Sequence, residues 1–188
     1  MSTGSVSPRR ADTRRNHERI LAVAAQSLAC SGQVSFNAIA KQAEVGVGTV
    51  YRHFPTAADL ILAVYEREVC QLVNVVPTLL ERCPPEQAFR VWAREHLAHY
   101  LITKRGLATA LRAASSSAQL PAHAYKSLVD ALDTLLKANI AAGTVRPDIS
   151  VDTVMRAMAG LLLLSPDEDW KAATESLVDF VWRGMRAD

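Results

Sequence analysis

The stretch that decides the fold is SFNAIAKQAEVGVGTVYRHF, residues 35–54. It predicts two short helices, over residues 36–43 and 47–54, with a turn of about three or four residues between them. Helices joined so closely must cross steeply, so the first needs a small residue and the second an apolar residue at the crossing. Ala40 and Val50 supply these residues. The pattern therefore predicts a helix-turn-helix.

The same stretch resembles the signature of the TetR/AcrR family of bacterial regulators. The matching letters are I-A-x-x-A-x-V-x-x-G-T-V-Y-R-H-F, and the resemblance covers about residues 14–60. It implies an all-α protein with a three-helix DNA-binding head at residues 1–55, of which residues 1–11 are expected to form a disordered basic arm. It also implies a helical ligand-sensing and dimerisation body at residues 56–188.

In the family, the second helix of the motif enters the major groove of double-stranded DNA. Carried over by position, the residues that would face DNA are Gly48, Thr49, Tyr51, Arg52 and His53. Side chains of these types donate hydrogen bonds to phosphates and base edges, and glycine lets the backbone approach closely. We predict that Arg52 reads a guanine and that Tyr51 and His53 hold phosphates. The alternative for Tyr51 is an ordinary core aromatic, which is the role that we expect for Phe54.

Positive charge is concentrated near the N-terminus. Residues 1–55 carry seven Lys and Arg against three Asp and Glu, whereas the remainder carries 14 against 16. Arg14 and Arg15 stand near the start of the first helix, where cations oppose the helix dipole. We therefore expect them to bind phosphate, although Arg9 and Arg10 could be a solvated tail. Ser35 is assigned to the same DNA-binding set and is expected to cap the second helix.

Three positions depart from the family pattern. Glu44 replaces the usual turn glycine, which predicts either a positive φ or a reshaped turn. Gly46 replaces the usual serine cap. Ala57 and Ala58 stand where many members place a phosphate-binding lysine or arginine. These departures leave open an alternative function, a helical interaction module that has lost specific DNA binding.

Helical periodicity recurs along the rest of the chain, and about nine helices are predicted. The first covers residues 12–31 and the fourth ends near residue 76, because Pro77 follows. Pro84 and Pro85 open the fifth, and the sixth begins near Gly106. A loop is predicted at 115–121. The last three helices are predicted at 122–142, 150–164 and 165–186, and Gly143 is expected to end the first of these in a left-handed conformation.

The resemblance implies a ligand pocket enclosed by the fourth to seventh helices. Trp92, His96 and Tyr100 follow one another at intervals of four, so a regular α-helix would align them on one face. This stripe either lines a pocket for a largely apolar effector or belongs to the core. The full predicted set is Tyr65, Val69, Trp92, His96, Tyr100 and Leu132. His96 and His99 are too few for a closed metal site, and none is expected.

The last two helices are apolar on several sides. Such helices must be buried on several sides, and a body of this size offers little internal cover. A four-helix interface between two copies of the chain is therefore predicted. The residues assigned to it are Met155, Met158, Leu162, Leu177, Phe180 and Val181.

Other functional classes lack supporting residues. The three cysteines have no metal-ligand spacing, no cofactor motif or catalytic constellation is present, and no apolar run could span a bilayer. We expect a cytoplasmic, non-enzymatic homodimer without a cofactor. It would repress transcription from a palindromic operator until a small-molecule effector binds.

Overall fold

The computed structural model describes residues 8–114, 122–164 and 169–187, and within them the fold is all-α. Nine helices lie in these ranges. They are α1 (Pro8–Ser31), α2 (Phe36–Gln42), α3 (Val47–His53), α4 (Ala57–Arg82), α5 (85–103), α6 (Arg105–Ala114), α7 (Ala122–Ala141), α8 (Val151–Met158, continued by the 3₁₀ turn Ala159–Leu163) and α9 (Trp170–Met185). The only extended pairing among the described residues is an isolated antiparallel bridge between Val145 and Arg186. The predicted fold class is confirmed.

Two helix boundaries differ from the prediction. α1 begins at Pro8, so residues 8–11 are helical rather than part of a disordered arm. Proline is well tolerated in the first turn, where its missing N–H has no partner anyway. α4 continues through Pro77 to Arg82. A proline inside a helix costs about 3 kcal/mol, and burial of the α4 stripe, including Val76 at 2% exposed, offsets it.

α5 is not a regular α-helix. Its α-helical ends, Pro85–Val91 and His99–Thr103, flank the π-helical stretch Trp92–Ala98. In a π-helix each backbone N–H bonds to the carbonyl of the residue five positions earlier. The fully buried residues of this stretch form two pairs at that spacing, Trp92 with Leu97 and Ala93 with Ala98. The wider turn therefore buries both pairs, which a spacing of four would not align.

The described helices belong to two compact units. The first comprises Met1–Arg67 and Arg105–Ala118, and the second Glu68–Lys104 and Gln119–Asp188. The boundary within α4 differs from the predicted division at residues 55 and 56. The two units are defined by packing and not by function. The predicted division into a DNA-binding domain and a ligand-sensing domain therefore stays a prediction.

The first unit is centred on α1. Its buried residues are Ile20, Ala24 and Leu28 on α1, Ile39 and Ala40 on α2, Val50 and Phe54 around α3, and Leu107 on α6. α6 approaches the end of α1 so closely that a Cβ on Gly106 would lie 2.0 Å from the Leu28 carbonyl oxygen. Gly32, at φ +68°, ends α1 at this contact.

The second unit holds α5 against α9 through both apolar and charged contacts. Phe89 of α5 lies against Trp182 of α9, with ring centroids 5.6 Å apart. Arg90 and Arg94 both donate hydrogen bonds to Asp179, the latter at 2.9 Å. Gly143 ends α7 at φ +71°, as predicted.

α9 begins at Trp170, and the Asp169 carboxylate caps it by accepting a hydrogen bond from the Ala172 N–H at 3.3 Å. The start predicted at residues 165–168 and the loop predicted at 115–121 lie outside the described residues. Within the described ranges, no helix combines the length and the apolarity needed to cross a bilayer.

Candidate functional site

The turn between α2 and α3 is built by local hydrogen bonds. Ser35 caps α2 by accepting a hydrogen bond from the Ala38 N–H at 3.4 Å, as predicted. Glu44 adopts φ +54°, the left-handed conformation expected where glycine is usual. The Val45 N–H then donates to the Ala40 carbonyl at 3.0 Å, and the Glu44 N–H to that of Lys41 at 3.3 Å. These bonds form a Schellman motif, which turns the chain sharply into α3.

α3 buries one apolar side and exposes a polar one. Val50 is fully buried, whereas Tyr51 is 55% exposed and Gly48 and Arg52 are also exposed. The Arg52 guanidinium donates to the Gly48 carbonyl at 3.1 Å and to the hydroxyl of half-buried Thr49 at 3.2 Å, so these three residues share one polar surface. This surface offers several donors in a single patch, which is the chemistry needed to read base edges and phosphates.

The other residues of α3 connect it to α1 and α2. The Tyr51 ring lies 4.7 Å from that of Phe36, centroid to centroid, which orients Tyr51 while leaving it exposed. Phe54 is buried, as predicted. The His17 ring of α1 lies 5.4 Å from that of His53. His17 was missed by sequence reasoning, because no local motif indicates which α1 residue reaches the end of α3.

The pKa of His53 is lowered, first by burial and then by the positive charges of His17 and Arg52. The imidazole is therefore neutral at neutral pH in the free protein. An approaching phosphate would favour its protonated form, because an opposite charge nearby stabilises the cation.

The predicted arginines lie on the exposed side of α1. Arg14 and Arg15 line a shallow groove together with Arg19 and with two acids, Asp12 and Glu18. Arg15 also pairs with Asp12, and Arg19 lies 3.8 Å from Glu44 across the turn. The groove is consequently less basic than the count of arginines suggested.

The start of α4 carries an acid. Asp59 accepts hydrogen bonds from the Thr56 N–H at 3.0 Å and from the Thr56 hydroxyl at 2.7 Å, while the Asp59 N–H donates to that hydroxyl at 3.1 Å. This reciprocal cap stabilises the helix end. Ala57 and Ala58, where the family resemblance led us to expect a cation, carry none.

A cavity of about 110 Å³ lies within the second unit. α4 contributes Glu68, Gln71 and Leu72, and α5 contributes Glu95, His96, His99 and Tyr100, with Lys104 just beyond α5. Of the six predicted pocket residues, His96 and Tyr100 line this cavity. Tyr65, Val69, Trp92 and Leu132 are buried, at 5%, 3%, 0% and 0% exposed.

The cavity is more polar than the predicted pocket. Glu68 is buried, and Lys104 Nζ lies 3.6 Å from its Oε2 atom. Burial lowers the pKa of His96, so this ring is neutral at neutral pH. Glu68 and Lys104 were missed by sequence reasoning. The available signal was the position of Glu68 four residues from both Val64 and Leu72, on the apolar stripe of α4.

The Trp92 indole anchors the cavity wall by donating to the Leu72 carbonyl at 2.9 Å. No group of three or more His, Cys, Asp or Glu side chains suited to a metal ion occurs among the described residues.

The residues assigned to the dimer interface fall into two sets. Phe180 is 75% exposed on α9, and Leu177 is half-buried. Met155, Met158 and Val181 are buried within the chain, and the Leu162 side chain lies outside the described part. Leu163, at the end of α8, is 88% exposed and adds a second large apolar side chain to the exposed set.

Comparisons with known proteins cover both parts of the chain. The model for bacterial regulatory proteins of the tetR family matches residues 20–64. The model for the C-terminal domain of SbtR-like transcriptional regulators matches residues 84–187. None of the curated proteins matches the chain.

Solved structures agree with these matches. A TetR transcriptional regulator from Streptomyces coelicolor is 38% identical, with a TM-score of 0.78 over 90% of this chain and 98% of that one. A TetR transcription regulatory protein from Mycobacterium vanbaalenii is 33% identical, with a TM-score of 0.77 over 96% and 100%. The regulator FadR from Bacillus subtilis shares the fold at 18% identity, with a TM-score of 0.67 over 90% and 99%. With a family match over more than half of its length and two relatives that are more than 30% identical, the chain belongs to the TetR family of transcriptional regulators.

Proposed function

We propose that this protein is a homodimeric repressor that binds a palindromic DNA operator and releases it when a small effector occupies the body. The observation that carries the proposal is the polar surface of α3, where the exposed Arg52 is hydrogen-bonded to exposed Gly48 and half-buried Thr49. A monomer presents one such helix. Two copies related by a two-fold axis would read two half-sites on one face of the duplex.

Different residues serve different roles at the DNA. Arg52 is the base reader, since its guanidinium can exchange its bonds to the helix for a bidentate contact with guanine. Tyr51 and His53 hold phosphates beside it. Arg14 and Arg15 add sequence-independent attraction, which depends on salt because phosphate neutralisation releases counterions.

The exposed apolar side chains support dimerisation through the last two helices. Phe180 and Leu163 are large apolar side chains that are 75% and 88% exposed, and an exposed apolar patch marks a protein–protein interface. Replacing Phe180 with aspartate is expected to give monomers, and light scattering that still reports dimers would contradict this interface.

The cavity between α4 and α5 supports regulation by a ligand. A regulator with the same fold, FadR from Bacillus subtilis, is solved in complex with stearoyl-CoA. In the present chain, α4 carries Glu68 and Leu72 of the cavity and also continues the first unit through Arg67. To release the DNA, the effector must bind the DNA-incompetent state more tightly than the DNA-competent state. The factor by which the effector weakens DNA binding must then equal the factor by which DNA weakens effector binding.

The test begins with selection of bound sequences from a random DNA pool, for which a palindrome is expected. On the selected DNA, Arg52→Ala should relax the preference at one base position by about 1–3 kcal/mol. Arg14→Ala should weaken all sequences alike and lower the salt slope by about one. Lys126→Ala, an exposed cation on α7, is the matched control and should change neither quantity.

Equal losses on selected and scrambled DNA for Arg52→Ala would remove its assignment as the reader. Absence of any enriched sequence would instead favour the alternative function, a helical interaction module. Glu44 in the turn, and the lack of a cation at Ala57 and Ala58 at the start of α4, are the observations that favour that alternative.

A further inference from the structure

The cavity lining carries more acidic than basic side chains. Among the described lining side chains, Glu68 and Glu95 carry carboxylates and Lys104 carries the one ammonium group. Glu68 is 8% exposed, so its charge is felt strongly inside the cavity, where water screens it little. An anionic ligand would have to approach both carboxylates, whereas a cationic ligand would meet them favourably.

One partner of Glu68, the side chain of Lys104, is held loosely. Lys104 Nζ lies 3.6 Å from Glu68 Oε2, beyond the roughly 2.7–2.9 Å of a charge-assisted hydrogen bond. A lysine head sits on a long flexible stem, so it can move aside at little cost in geometry. Another ammonium or amidinium group could therefore take its place and bond the carboxylate directly.

His96 does not reverse this balance. Its burial lowers the pKa of the imidazole, which keeps the ring uncharged at neutral pH. A neutral imidazole has one donor and one acceptor nitrogen, so it can accept a hydrogen bond from a ligand N–H. Tyr100 and Gln71 provide further polar atoms on the same lining.

The size of the cavity limits what enters it. A volume of about 110 Å³ holds roughly four water-sized groups, at about 30 Å³ each. That is smaller than the roughly 300–1,000 Å³ of a pocket for a whole drug-sized ligand. The cavity therefore admits a head group of a few non-hydrogen atoms.

We propose that the effector carries a small cationic nitrogen head group, an amine or amidine, that binds Glu68 in exchange for Lys104. The assignment rests on the proposed function, since it names the class of effector for that site. It replaces the largely apolar effector expected from the sequence.

The test uses three probes with the same four-carbon chain and different heads: butylammonium, butanoate and butanol. Binding is followed by two-dimensional NMR of the full-length protein without DNA. The Trp92 indole signal is the reporter, because its N–H bonds the carbonyl of Leu72 in the cavity wall. Variants Glu68→Gln and Lys104→Met are compared with Glu81→Gln, which removes an exposed carboxylate elsewhere on α4.

Butylammonium is expected to bind at least tenfold more tightly than butanol, and butanoate to bind more weakly than butanol. Glu68→Gln should remove the tenfold preference, Lys104→Met should strengthen butylammonium binding several-fold, and Glu81→Gln should change nothing. The opposite effects of the two cavity variants separate a role in binding from a general loss of structure.

Tighter binding of butanoate than of butylammonium would overturn the assignment, as would a preference that survives Glu68→Gln or weakens in Lys104→Met. Operator affinity measured in the same solutions tests the proposed function separately. If the unaltered protein without any probe does not bind the selected DNA, the repressor proposal is refuted, but the NMR result on the cavity still holds.

Discussion

The contact between Gly106 and the end of α1 makes a quantitative prediction for Gly106→Ala. The added Cβ would lie 2.0 Å from the Leu28 carbonyl oxygen and 3.0 Å from the Gly32 Cα. Both obstacles are backbone atoms, so relief requires that α6 and α1 separate. Overpacking of this kind costs about 3 kcal/mol, and the better helix propensity of alanine returns about 0.5–1 kcal/mol. We expect a net destabilisation of about 2 kcal/mol, or a fall in Tm of about 4–8 °C for a chain of this size.

The assay is thermal unfolding followed by far-ultraviolet circular dichroism at one fixed protein concentration, since dimerisation would make Tm depend on concentration. Gly48→Ala is the matched control, because it lies in a helix of the same unit and its added Cβ meets nothing within 4 Å. It should raise stability by about 0.5–1 kcal/mol. A Gly106→Ala variant that melts as high as the unaltered protein would refute the close packing of α6 on α1.

Three further perturbations test other parts of the structure. Glu44→Gly should stabilise the protein by about 1 kcal/mol, because glycine adopts the φ of +54° without strain; a lower urea midpoint would contradict this. Stability should decline as pH falls below about 6.5, because the unfolded chain protonates His53 while burial keeps the folded pKa lower. In urea denaturation of His53→Gln, the free energy of unfolding should vary less with pH between about pH 7 and 5. An unchanged pH profile would exclude His53 as a source of the decline in stability. Asp179→Asn should destabilise by about 1–2 kcal/mol, because Arg90 and Arg94 lose the carboxylate whose pKa Arg90 holds low; a double-mutant cycle with Arg94→Gln that finds no coupling would argue against it.

The features that the sequence predicted well depend on residues only a few positions apart. The Ser35 cap and the left-handed Gly143 each follow from one residue type at one position of a helix end, and the positive φ of Glu44 is one of the two outcomes expected where the family usually has a turn glycine. Such interactions form locally, so their signal is complete within a short stretch.

The features that were missed depend on tertiary burial. Local rules end a helix at Pro77, but α4 is buried up to Val76 and continues to Arg82, with Leu79 and Leu80 half-buried beyond the proline. The pocket prediction placed Trp92, His96 and Tyr100 on one face. In the structure Trp92 is fully buried, whereas His96 and Tyr100 line the cavity. Glu68 is a charged residue that the fold buries. Its burial depends on the packing of helices that are distant in sequence.

The π-helical stretch of α5 also sets how this site can change. A π turn contains one residue more than an α turn, so the two ends of α5 are out of phase with each other. Deleting one residue between 92 and 98 would let the helix close as a regular α-helix. The π turn absorbs its extra residue, so the turns on either side, Pro85–Val91 and His99–Thr103, would keep nearly their present directions. A single-codon deletion would therefore narrow one turn of α5 and end the five-residue register of Trp92 with Leu97, while His99 and Tyr100 stay on the cavity lining.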